Sequence, residues 1–227
     1  MMLYVLSGLF FGFFIPYTAR RFEKFMPATF AYALYRIFRP GKNVSAIKRK
    51  KSSRYIELNC RYMLRSVMWG LACGGISLAA YWHFGGEQAG WHLFFIWSLL
   101  LLTEIDWRMY LLPDILTVPL LLVGFLYAAL AGGWVVPAES AIGAFAGYFL
   151  PVVASLFLVW KDKDMFGGGD IKLLAGIGAW TGADKLIYVI LTAVVIFGLY
   201  ALVRRQRSGA FGPAIAAAAI IIAFYFF

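Results

Sequence analysis

Apolar runs recur from one end of the chain to the other, separated by short polar stretches. They fall at roughly 2–18, 65–82, 91–105, 114–132, 138–160, 170–182, 184–203 and 210–227. A helix needs about 20 such residues to cross a bilayer, and most of the runs approach that length. The pattern predicts an all-α, polytopic membrane protein with about eight transmembrane helices. The run at 170–182 is short for a full crossing. It predicts a tilted helix, or one flanked by non-helical backbone buried in protein. In chain order the expected units are a first transmembrane helix at 1–18, a basic loop at 19–64 and a multi-span domain at 65–227.

Composition agrees with the bilayer as solvent. Of 227 residues, 63% are hydrophobic and only 14% charged, where a soluble domain carries about a quarter charged. A net charge of +10 would suggest nucleic acid in a soluble protein. Here its distribution argues for lipid. Thirteen of the 21 Lys and Arg lie between Arg20 and Arg65. Arg108, Lys161, Lys163, Arg204, Arg205 and Arg207 fall in alternate later loops. Lys172 sits at the adjoining end of the sixth run, and only Lys185 falls on the other side. Basic residues mark the cytoplasmic side. This predicts 19–64, 106–113, 161–169 and 204–209 in the cytoplasm and both termini outside. The first run precedes its charges and lacks an A-x-A site, the reverse of a secretory signal, so it reads as an uncleaved span. Within the basic loop, aromatic and basic residues over 28–38 suit an interfacial helix. Lys48-Arg49-Lys50-Lys51 reads as a run facing anionic lipid, and no nucleic-acid partner is expected.

Against this apolar background a few polar residues stand out. Asp106 ends the third run. Asp170 opens the sixth, directly after Gly167, Gly168 and Gly169. The orientation read from Lys and Arg puts both aspartates on the cytoplasmic side at similar depth. Acids at a membrane span are costly and mark functional sites. Each also has a plainer reading: Asp170 as a helix N-cap, Asp106 as a loop residue. Asp114, after Pro113, suits the first turn of a helix, complementing its dipole. The glycines remove every Cβ before Asp170, which allows positive φ and close backbone approach. No GxxxxGK[ST] spacing is present, so a phosphate loop is excluded.

Two carboxylates sharing a site cannot both ionise easily, so the pair holds one proton. The ionised member can activate water. The protonated member can polarise a scissile carbonyl and later protonate the leaving amine. Such hydrolysis needs neither metal nor covalent intermediate. A peptide bond within a transmembrane helix would have to reach the pair unwound, which fits a glycine-lined site at the membrane edge. Cys60 and Cys73 form no CxxC and read as packing residues. His83 and His92 flank a Gly-containing loop and read as solvated or interfacial, without a ligand set for metal.

At these residues the sequence resembles the type IV prepilin peptidases, GxGD-class intramembrane aspartyl proteases. Asp106 through Leu112-Pro113-Asp114 is similar to the first family motif. Gly167-Gly168-Gly169-Asp170-Ile171-Lys172-Leu173-Leu174 resembles the second, GxGDxKLL. Phe211-Gly212-Pro213 resembles the FGP stretch that opens the last span, and Gly8-Leu9-Phe10-Phe11-Gly12 is similar to the start of such enzymes. The resemblance implies a multi-pass enzyme of the bacterial inner membrane, with periplasmic termini and its site facing the cytoplasm. Its substrates would be prepilins or type II secretion pseudopilins, losing a short basic leader. Asp106 and Asp170 would be the catalytic pair, with Asp114, Gly167, Gly168, Gly169, Lys172, Phe211, Gly212 and Pro213 in support. Many members also methylate the new N-terminus using S-adenosylmethionine, so that cofactor is implied for methylation and none for proteolysis. Many carry paired CxxC motifs that bind zinc in the first cytoplasmic loop. This loop holds only Cys60, so no metal is expected and the methyltransferase activity is left open. Two other readings stand beside the resemblance: a GxGD protease for other signal peptides, and a non-catalytic scaffold or transporter. Transporter acids usually lie near the midplane, with repeat symmetry.

Overall fold

The computed structural model describes residues 1–25, 53–86, 88–130, 132–159, 167–205 and 209–227, and every regular element among them is a helix. These are α1 (Met2–Phe25), α2 (Ser53–Phe84), α3 (Ala89–Met109), α4 (Asp114–Leu130), α5 (Pro137–Val159), α6 (Gly168–Arg204) and α7 (Gly212–Phe226). The interfacial helix expected at 28–38 and the basic run at 48–51 lie outside the described residues. Four stretches are long and apolar enough to cross a membrane: Met2–Phe22, Arg61–Phe84, Pro137–Leu156 and Gly168–Arg204. The outward faces of the helices are apolar too. Leu122, Phe145, Tyr148, Leu191 and Val194 are all exposed, as a lipid solvent allows. The chain is a helical membrane protein.

The helices fall into two compact units, Met1–Trp82 and His83–Phe227. The first is an antiparallel pair. Tyr4 meets Tyr81 with ring centroids 5.3 Å apart, and the Arg20 guanidinium lies 4.1 Å over the Tyr62 ring. Between these contacts small residues let the backbones close up. Gly8 faces Ser77 and Cys73, Gly12 faces Trp69 and Cys73, and a Cβ at Gly74 would sit 2.9 Å from Leu9. Membrane helices lack a hydrophobic drive between them and pack through small residues of this kind. Cys73 is fully buried in this seam, as expected of a packing residue.

The second unit is built around the start of α6, where every residue from Leu173 to Gly182 is buried. α5 runs antiparallel to it, Gly143 against Gly178 and Gly147 against Leu174. α4 runs parallel to it. The Trp180 Nε1–H donates to the Leu120 carbonyl at 2.9 Å, and Gly124 leaves room for the indole. The Ser140 hydroxyl donates to the Ala179 carbonyl at 2.5 Å.

At 37 residues, α6 would be about 55 Å long if straight, far more than one crossing. It folds back instead. Gly182 has φ 76° and ψ 168°, a conformation essentially reserved for glycine. Leu174, before it, lines one cavity with Ile187, Ile190, Leu191 and Val194, after it. Trp107 of α3 meets Tyr200, and Phe197 meets Phe211. The second arm therefore returns to the end of the unit where α6 began. The expected sixth and seventh spans are the two arms of this one interrupted helix. The first arm is short, but it is sheathed in protein, which satisfies the irregular backbone at its end.

The expectation for His92 is corrected. It is 2% exposed, on α3 rather than in a loop. Its Nε2 lies 2.9 Å from the Tyr127 hydroxyl, which itself donates to Gln88 Oε1. Trp134 stacks on its ring at 4.9 Å. The connection after Phe84 has ended by then, because α3 begins at Ala89. His83 remains exposed, with its ring 5.4 Å from Phe224.

Candidate active site

Asp106 sits in the last turn of α3, and the way that helix ends aims the site. Tyr110 closes it in the left-handed region, φ 53°, its N–H donating to the Asp106 carbonyl at 2.9 Å. Pro113 follows and cannot continue a helix. The chain turns through 111–113 and starts α4 at Asp114. This turn lies on the first residues of α6, and Gly169 is what lets it. A Cβ at Gly169 would sit 2.8 Å from the Leu112 Cβ. The consequence is that Asp106, 4% exposed, and the half-buried Asp170 are within Coulombic reach of each other.

The start of α7 completes the surroundings. The Gly212 N–H donates to Asp106 Oδ2 at 2.9 Å. A Cβ at Gly212 would lie 2.7 Å from that same oxygen, so only glycine permits the bond. Pro213 stands in the first turn of α7, where its fixed φ suits a helix start. Phe211 packs edge-on to Phe197. The carboxylate of Asp106 thus lies at a helix N-terminus, where backbone N–H groups and the dipole favour negative charge.

The glycines before Asp170 act by shape alone. None of Gly167, Gly168 and Gly169 has positive φ; of the two possibilities that glycine opens, close approach is the one Gly169 uses, against Leu112. A Cβ at Gly167 would come within 3.1 Å of Asp170 Oδ2, whereas at Gly168 it would meet nothing within 4 Å among the described residues. Gly169 is sterically required, Gly167 is tight against the Asp170 carboxyl, and Gly168 has room for a side chain. Beside them lies a cavity of about 140 Å³, lined by Tyr110, Leu111, Leu112, the three glycines and Asp170. That space can receive a short extended stretch of backbone next to the carboxyl.

Lys172 and Asp114, both read as supporting residues, are bonded to each other. The ammonium lies 2.7 Å from both Asp114 oxygens. The pair is about half exposed, so its net contribution to stability is on the order of 0–1 kcal/mol. Its position matters more, because it ties the start of α4 to the start of α6 next to the aspartates. We expect Asp114→Lys to cut turnover about tenfold, and Lys172→Asp in the same chain to restore part of it. Steady-state cleavage by the two singles and the double checks this, and additive losses would mean that the pair positions nothing.

One pairing lay unread in the sequence. Arg108 Nε donates to Glu104 Oε1 at 2.7 Å, with Glu104 only 1% exposed. The i, i+4 spacing of the two residues was the available signal. The pair braces the helical turns that carry Asp106. Among the described residues no three His, Cys, Asp or Glu gather as metal ligands.

The model of the type IV leader peptidase family matches residues 93–202, which include both aspartates. A prepilin leader peptidase/N-methyltransferase of Dichelobacter nodosus is 34% identical over 208 residues, covering 88% of this chain and 71% of that protein. The chain belongs to the type IV leader peptidase family. Proteins of the same name from Stutzerimonas stutzeri and Aeromonas salmonicida are 37% and 42% identical. The matched regions cover 61% and 46% of those relatives' lengths. No solved structure matches it. Membership in a leader peptidase family bears out the peptidase reading made from the aspartates and glycines.

Proposed function

We propose that this leader peptidase family member is a multi-pass aspartyl endopeptidase of the bacterial inner membrane. It removes the basic leader from prepilins or pseudopilins at the cytoplasmic face. The observation that carries the reading is the convergence of Asp106 and Asp170, from helices far apart in sequence, in a glycine-lined recess. Their position at helix ends, rather than mid-span, disfavours the transporter alternative. The named relatives favour prepilins over other signal peptides.

The geometry divides the labour. Asp106 accepts the Gly212 N–H and faces a helix N-terminus, so it takes the role of ionised base and removes a proton from water. The water oxygen adds to the scissile carbonyl carbon. Asp170, which no donor reaches among the described residues, holds the pair's proton against the carbonyl oxygen. As the tetrahedral adduct collapses, the C–N bond breaks and that proton passes to the leaving amine. The proton taken from water, left on Asp106, then becomes the shared proton of the next cycle. The backbone held by the 110–112 turn and the Gly167–Gly169 recess would keep the peptide extended for attack.

The methyltransferase activity in the relatives' names does not carry over as directly. Of three cavities among the described residues, the one lined by Leu150, Leu174 and Ile187 is wholly apolar, and those beside Gly182 and beside Gly167–Gly169 are small, about 110 and 140 Å³, so none of the three fits S-adenosylmethionine.

Co-expression with candidate prepilins, with leader removal read by mass spectrometry, tests the reading. Absence of cleavage from every prepilin in a correctly inserted protein would overturn it. The topology with about eight crossings and both termini outside makes its own prediction. Reporter fusions after Arg54, Lys163 and Arg207 should read cytoplasmic, and one after Lys185 periplasmic. A periplasmic signal at Lys163 would separate the aspartates across the membrane and exclude a shared site.

A further inference from the structure

A cavity of about 350 Å³ in the second unit has no part in the chemistry above. Every residue lining it is apolar. Ile187, Ile190, Leu191 and Val194 follow the i, i+3, i+4, i+7 spacing of one helix face, on the returning arm of α6. Leu150 and Ala154 of α5 form the opposite wall. Ile187, Leu191 and Val194 are each more than half exposed, so the cavity opens on the lipid-facing flank. Its inner end is set by Leu174, Phe211 and Ile215. Leu174 lies one helical turn beyond Asp170 on the same face, and Phe211 adjoins the Gly212 whose N–H holds Asp106. The cavity therefore runs from the candidate active site along the membrane depth.

We propose that this cavity seats the apolar helical segment of the substrate that adjoins the scissile bond. The proposal rests on the peptidase reading of Asp106 and Asp170. A substrate cut at the membrane rim must continue from the bond into the bilayer, and that continuation is an apolar helix, because only a helix satisfies its backbone there. Three turns of helix about 10 Å across would displace roughly 1,300 Å³. The cavity thus takes the side chains of one helix face while the helix itself lies along the flank. A lipid acyl chain would fit the chemistry of the walls, but it would have no reason to be aligned with two aspartates. Continuity with the site is what selects a substrate segment.

Two measurements test this on the full chain in proteoliposomes. The first is Ala154→Phe, which fills the cavity. KM for an intact prepilin should rise about tenfold, with no such rise for a peptide truncated a few residues past the cleavage point. The second is a photo-cross-linking side chain at Leu191, with Leu122 of α4 as control. Leu191 should yield an adduct mapped to the prepilin's apolar segment, and Leu122 none. Parental KM for intact prepilin in Ala154→Phe, or adducts from Leu191 only to phospholipid or to a second copy, would overturn the proposal. If Ala154→Phe loses cleavage of both substrates, the cross-link decides, and no prepilin adduct overturns it. If the parent cleaves neither substrate, the peptidase reading itself fails and the proposal with it.

Discussion

Asp106→Asn and Asp170→Asn should each reduce prepilin cleavage by about 10³-fold or more, with expression and membrane insertion unchanged. Asparagine keeps the size of the side chain and can still accept the Gly212 N–H at position 106. What it cannot do is take or give up the proton that the pair exchanges. Groups that act as one unit lose nearly everything singly, so the double variant should be scarcely slower than either single. Mass spectrometry of co-expressed prepilin reads the leader's removal, and a fluorescent fusion confirms insertion. Cysteines in place of both aspartates should cross-link with a short reagent, as the convergence of α3 and α6 requires. The idea is falsified if either Asn variant, correctly inserted, processes prepilin at near-parental rate.

The aspartates could be found in the sequence because two separate signals point at them. Acids are rare among the apolar runs, and the Lys and Arg distribution puts Asp106 and Asp170 on one side without reference to either. The helices were legible for the same reason, since bilayer length and apolar composition leave little choice. What the chain conceals is pairing over long separations. Gly212 lies 106 residues from Asp106, and nothing local says that its N–H is a ligand of that carboxylate. Only the resemblance of Phe211-Gly212-Pro213 to a family motif flagged it. Lys172 and Asp114 were flagged in the same way, while their bond, across 58 residues, was invisible. Gly182 is one of 23 glycines, and the neighbouring Asp184 and Lys185 marked a break without showing that the helix doubles back. His92 was misread because closeness to a Gly-containing loop outweighed the aromatic residues that enclose it in space. The glycines before Asp170 opened two possibilities, positive φ and close backbone approach. Gly169 uses the second, clearing Leu112 of the 110–113 turn, while Gly168 has open space.

That clearance gives the other large expected effect, and it distinguishes glycines that look alike in sequence. Gly212→Ala should cut turnover about 10²-fold, because its Cβ would meet Asp106 Oδ2 at 2.7 Å and Cγ at 3.1 Å. The carboxylate must move or surrender its N–H donor, and misplacing a reacting group by about 1 Å costs about two orders of magnitude. Gly169→Ala should act similarly by pushing back Leu112 and, with it, the turn that follows Asp106. Gly168→Ala should stay within about threefold of the parent, its Cβ having open space. Gly198→Ala, whose Cβ also meets nothing within 4 Å, should leave turnover intact and stabilise the second arm of α6 by up to about 1 kcal/mol. Steady-state rates for the four variants, each normalised to inserted protein, provide the comparison. Equal losses at Gly168 and Gly169 would mean that the segment needs flexibility rather than clearance. A Gly212→Ala enzyme of parental activity would remove the helix N-terminus of α7 from the mechanism and leave the choice of base between the two aspartates open.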